Sequence, residues 1–88
     1  MNDLGAPTSY LLLRAGTSVY SSDGERVGEV AEIRADENSD IFDGLVVGHG
    51  LLSGERSFVA ADQVEELFER GVVLKLDAAA AEALPAAE

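Results

Sequence analysis

Apolar and polar positions alternate in short runs along this chain, with turn chemistry between the runs. Residues 17–20 carry Val19 and Tyr20 and lead into Ser21-Ser22-Asp23-Gly24, after which Val27, Gly28 and Val30 begin a second run. An apolar strand entering a Ser/Asp/Gly turn and leaving into another apolar strand predicts a β-hairpin. The second strand is expected over 27–34, ending before the polar stretch from Asp36 to Asp40. A third is expected over 41–49. There Leu45 and Val47 share one face at period two, with Asp43 and His49 on the same parity. The turn Leu52-Ser53-Gly54-Glu55 leads to a fourth strand over 56–60. In the last, 72–76, Val72, Leu74 and Leu76 alternate with Val73 and Lys75. Short strands at this spacing predict a mainly β fold, a barrel or a sandwich of about five to six strands.

Two segments carry the wrong period for a strand. Val27, Val30 and Ile33 are spaced by three, which a bulge beside Gly28 would reconcile with a strand. Between Asp62 and Gly71, Asp62 with Glu65 resembles a capping box. Val64, Leu67 and Phe68 form a helical stripe, and Gly71 suits a helix C-terminus. Read locally, this is a short helix. Read with its neighbours, it is a single turn at Ala61-Asp62-Gln63 followed by a strand from Val64, and the pattern leaves both open.

Eighty-eight residues make one domain. At about 0.05–0.15 kcal/mol per residue its stability should be roughly 4–13 kcal/mol, so the core is built from few side chains. The chain divides into a loose N-terminal arm (1–8), a patterned core (9–76) and an alanine-rich tail (77–88), where Asp77 is placed to cap a short helix that either docks through Leu84 or frays.

Seventeen acidic residues against six basic ones give a formal charge of −11. Direct nucleic-acid binding is disfavoured, because phosphate recognition needs clustered Lys and Arg. A basic protein partner, a ribosomal protein among them, is favoured. No cysteine is present, which removes disulfides, thiolate chemistry and Cys-based zinc sites. The leucine run at 11–13 is too short for a signal core or a membrane span, so the expectation is a cytoplasmic protein without a membrane span.

These residues resemble the PRC-barrel family, which includes the photosynthetic reaction centre H subunit. The matching positions are Gly16, Val19, Asp23-Gly24-Glu25, Val27-Gly28, Val30 and Ile33. They continue with Gly44-Leu45-Val46-Val47, then Phe58-Val59-Ala60-Ala61-Asp62-Gln63-Val64, then 72–76. The resemblance implies a PRC-type barrel acting by protein contact, with no cofactor and no catalytic residues. The chain departs from it at Ala60, where many members have proline before the turn into the fifth strand. Fold and mode of action follow from such a resemblance; a partner does not.

Candidate chemistry is sparse. Asp36, Asn38 and Asp40 match the first three ligand positions of a calcium loop, but Ile41 stands where its glycine is needed and Val47 where its glutamate is needed. His49, with Asp43, is the other weak metal or general-base candidate; alone it falls short of the three protein ligands of a catalytic zinc site. Ser53 has no triad around it. A metal- or ligand-responsive module using Asp36, Asp40, Asp43 and His49 is thus the alternative to an interaction module. The contact candidates are two. Leu11, Leu12 and Leu13 cannot all point inward from one strand, so they form an edge strand or cover a second copy in a homodimer. Glu65, Glu66 and Glu69 form an acidic face suited to a basic partner.

Overall fold

In the computed structural model, residues 4–36, 38–39, 41–49 and 55–87 are described. Asp40 and the expected turn at 52–54 lie outside them. Six strands, β1 (Ser18–Tyr20), β2 (Arg26–Asp36), β3 (Ile41–Gly48), β4 (Arg56–Ala60), β5 (Val64–Phe68) and β6 (Gly71–Leu74), form one sheet in the order β4-β3-β2-β1-β6-β5. Neighbours are antiparallel except β1 and β6, which run parallel. Val19, Val30, Leu45, Val47, Val59, Leu67, Val72 and Leu74 come from all six strands, yet they join Leu13 in a single buried cluster. A sheet whose two outermost strands share one cluster must curl around it, which decides for the barrel over the sandwich.

The two off-period segments have one cause. In β2, Val30 lies opposite Val47 and Ile33 opposite Leu45; two positions on β3 span three on β2. Ala31 is the extra residue of a bulge, and Val27 is a second one between the pairs Val19–Gly28 and Tyr20–Arg26. In β5 the same device recurs. Val64 faces Leu74 and Leu67 faces Val72, with Glu65 as the extra residue. A bulge inside a strand turns a spacing of two into three and so imitates a helix. The helix expected from the local pattern of 62–71 is therefore overturned in favour of the turn and strand. The turn is one 3-10 turn, Ala61–Gln63. Its bracing bond is not Asp62 with Glu65 but the Ala60 N–H donating to Gln63 Oε1 at 3.0 Å. Ala60 keeps a φ of −67°, the value a proline imposes, while donating a bond that proline could not make.

Boundaries shift elsewhere. β2 extends two residues past the expected end, and the last strand stops at Leu74 with Lys75 and Leu76 outside it. Residues 4–8, expected as a loose arm, lie along β5. Thr8 N–H donates to the Leu67 carbonyl (2.8 Å), Glu69 N–H to Ala6 (3.0 Å) and Arg70 N–H to Leu4 (2.8 Å). The alanine segment forms α1 (Ala78–Glu82), capped by the Asp77 carboxylate accepting from Ala80 N–H at 2.8 Å. Leu84 packs on the core. Beyond it, Pro85 and Ala87 bond to β4. Both outer strands are thus partly covered by the chain itself, β5 by residues 4–8 and β4 by 85–87.

Candidate functional site

The leucine run does not make an edge strand. Residues 10–12 form a turn, with Leu12 N–H on the Ser9 carbonyl and Leu13 N–H on Tyr10. A turn separates three consecutive side chains in a way that a strand cannot. Leu13 falls into the core at 7% exposure, while Leu11 and Leu12 stand out at 70% and 73%. Leu13 is therefore a packing residue, not a contact residue. The turn is anchored by Tyr10, whose ring stacks on Phe42 of β3 with centroids 5.2 Å apart and planes within 10°. The neighbour of Phe42 is Ile41, 54% exposed. The three exposed large apolar side chains among the described residues thus lie on two segments joined by one aromatic stack. Sequence reading missed Ile41. Its signal was a large apolar residue directly after a polar hairpin turn, at the start of a strand; by count it shares the inward parity of Leu45 and Val47, and the extra residue at Asp43 turns it outward.

Carboxylates flank this platform. Asp36 lies opposite Ile41 in the β2–β3 pairing. Asp43 shares the inward parity of Leu45 and Val47 by count, yet it is exposed because it is the extra residue between the pairs Arg34–Gly44 and Ala35–Phe42. Nearby, Arg34 pairs with Glu32 at 3.6 Å and lies over the Phe58 ring. Asp36 is occupied by its own turn: its Oδ1 accepts from Asn38 N–H at 3.0 Å. Hydrogen bonds, first from the Ser39 side chain and then from the Asn38 amide, hold its carboxyl below the ordinary 3.8. That is the chemistry of a hairpin turn closed by an Asx contact.

His49 is not brought to Asp43. Its Nδ1 lies 3.2 Å from the Val27 carbonyl and its Nε2 2.8 Å from Ser57 Oγ. A carbonyl only accepts, so Nδ1 carries a proton and donates it to Val27, while Nε2 and the Ser57 hydroxyl share the second hydrogen bond. Both ring nitrogens are thereby engaged, which explains how a histidine and a buried serine are satisfied at the end of the core. Ser57 was also missed. It shares the inward parity of Val59, and a polar residue at an inward position signals a polar partner. The pair borders an open groove of about 730 Å³, lined also by Arg56, Glu82, Leu84 and Ala86. Among the described residues, no three His, Cys, Asp or Glu side chains converge as a metal site would require.

The acidic row on β5 is partly committed to structure. Glu69 Oε1 accepts from Ala6 N–H at 2.9 Å, and Glu66 Oε1 from Leu67 N–H at 3.2 Å. Glu65 is exposed at its bulge. Among the described residues no helix is long and apolar enough to cross a membrane.

The β1–β2 turn makes a prediction of its own. Ser21 Oγ donates to the Asp23 carboxylate and accepts from Glu25 N–H at 3.2 Å, and Gly24 completes the turn at φ +88°. The Ser21 hydroxyl, with smaller help from the Asp23 and Ala78 amides, lowers the Asp23 carboxyl below 3.8. A carboxylate lowered in the folded state adds stability above its unfolded value and loses it as pH falls through the folded one. In Ser21→Ala, carbon-detected NMR titration should show Asp23 moving up toward 3.8 while Asp36 stays where it is. An unmoved Asp23 would contradict the assigned cause.

No curated protein matches the chain. A family model does, the PRC-barrel domain, over residues 15–80. That span runs from the lead-in to β1 through β6 into α1, and so covers the whole curled sheet. Family match, strand order and bulged core agree, and the chain belongs to the PRC-barrel domain family.

Proposed function

We propose that this chain is a non-catalytic protein-interaction module whose contact face is the Tyr10–Phe42 platform. One observation carries the reading: Leu11, Leu12 and Ile41, the exposed large apolar side chains among the described residues, lie on the two segments that a single ring stack joins. Apolar surface collected in one place on a water-facing domain is what a partner covers. The sheet edges support contact less well because residues 4–8 and 85–87 already bond to them.

The partner's chemistry follows from charge. Asp36 and Asp43 flank the platform and the whole chain carries −11, so a protein surface presenting Lys or Arg around an apolar anchor complements it. A homodimer through the same face would bring a second −11 against the first. Three side chains also supply only part of the ~800 Å² that a stable interface buries on each side. A ligand-responsive module has less support, since Asp36 is held by its turn and both nitrogens of His49 are engaged.

The test is Leu11→Asp with Leu12→Asp in the full chain. Both residues are exposed, so the melting temperature should hold within a few degrees while a captured basic partner is lost. Retention of that partner by the variant would overturn the assignment of the face. If the wild-type chain sediments as a dimer and the variant as a monomer, the face stands but its occupant is a second copy.

A further inference from the structure

We propose that the β4 edge is a strand-acceptor site, and that the segment after α1 is exchangeable there with the same segment of a second copy. The inference does not use the Tyr10–Phe42 platform. β4 is an outer strand of the sheet, and what closes it is short. Phe58 N–H donates to the Pro85 carbonyl at 3.1 Å, Ala87 N–H donates to the Arg56 carbonyl at 2.9 Å, and Ser57 stands antiparallel to Ala86. Together these form one turn of an antiparallel ladder, the arrangement by which an added strand docks on a sheet edge.

The segment is also weakly tethered. It follows a helix of five residues, too short to persist without docking. Its anchors are the buried Ala81 and the partly buried Leu84. Beside it lies an open groove of about 730 Å³, lined by Arg56, Ser57, Glu82, Leu84, Ala86 and Ala87. The edge therefore accepts an extended segment with a leucine to seat on the core, a carbonyl to meet Phe58 and small residues opposite Ser57. The segment Leu84-Pro85-Ala86-Ala87 has that chemistry, and its copy on another chain has it identically. Exchange between copies preserves every contact, so only the higher local concentration of the chain's own segment, on the order of millimolar, favours the closed form. The other outer strand, β5, is held by more bonds, including the Glu69 side chain on Ala6, and does not share this weakness.

The probe is a fluorescein-labelled peptide with the sequence of residues 78–88, titrated into the full chain and into its Ala87→Pro variant. Proline removes the N–H that donates to Arg56 and leaves the core untouched. Because the chain's own segment then competes less, the peptide should bind the variant about tenfold more tightly than the wild type. Hydrogen exchange at the Phe58 amide should be faster in the variant and slow again with peptide, while the Val59 amide stays protected throughout. A variant whose Phe58 amide opens but which takes no peptide overturns the acceptor site. A variant whose Phe58 amide stays as protected as in the wild type overturns the role given to the segment. In the wild type, millimolar peptide should shift the Phe58 amide resonance, and an unmoved resonance counts against exchange independently of any variant.

Discussion

Leu45→Ala should lower the unfolding free energy by about 2–5 kcal/mol, the range for deleting a fully buried leucine side chain. Leu45 is wholly shielded from solvent. It sits on β3 opposite Ile33 on one side and Val59 on the other, within the cluster that draws on all six strands. A curled sheet has no second layer to settle into the vacated space, so the cavity term is felt nearly in full. Against a total of roughly 4–13 kcal/mol for a chain of this length, such a loss leaves the variant marginal or unfolded. Urea denaturation followed by circular dichroism measures it. Ile41→Ala on the same strand is the control: that side chain is 54% exposed, and its removal should cost no more than about 0.5 kcal/mol. Equal losses at the two positions would mean that the assignment of inside and outside on β3 is wrong.

Gly28→Ala, at the single glycine of β2, should be strongly destabilising, and Gly48→Ala on β3 should be nearly harmless. A Cβ at Gly28 would overlap the Gly48 carbonyl oxygen and stand 2.8 Å from Val47 Cγ1. The backbone oxygen belongs to the ladder where Glu29 pairs with Gly48, so it cannot withdraw without breaking register. Overpacking of this kind costs about 1–3 kcal/mol or more. At Gly48 the same methyl meets nothing closer than Ala31 Cβ at 3.8 Å, an ordinary contact. There alanine restricts the unfolded chain without straining the folded one. The two variants differ by one methyl group on facing strands, so their difference in melting temperature isolates the close approach. A harmless Gly28→Ala would show that the strands are not that close.

The bulges decide how far the pattern of this sequence could be followed. Alternation marked β3, β4 and β6 because their inward residues keep period two. In β2 and β5 an extra residue, Ala31 and Glu65, turned two into three, and a local reading cannot separate a bulged strand from one helical turn. What distinguishes them is the partner strand, which is a long-range fact. The hairpin turn at Ser21–Gly24 and the Asp77 cap were legible because their chemistry is local. The candidate site was legible only in part. Three leucines signalled surplus apolar surface, but whether a turn or a strand carried them decided that Leu13 packs inside. Ile41 joined Leu11 and Leu12 only through the Tyr10–Phe42 stack, a contact across about thirty residues of sequence that no local spacing encodes. Asp43 and His49 shared parity by count, but six positions along one strand hold them about 20 Å apart. The covering of both outer strands depends on where the terminal segments come to rest, and composition marked those only as an arm and a tail.

On the proposed function, the platform around Tyr10 and Phe42 is where this chain meets its partner. A photo-crosslinking side chain at position 12 of the full chain, compared in the same lysate with one at position 65 on β5, tests it most directly. A discrete adduct with a basic protein is expected from position 12, weakened by salt, and none from position 65. An adduct from position 65 with nothing at position 12 would contradict it and return the contact to the acidic face of β5.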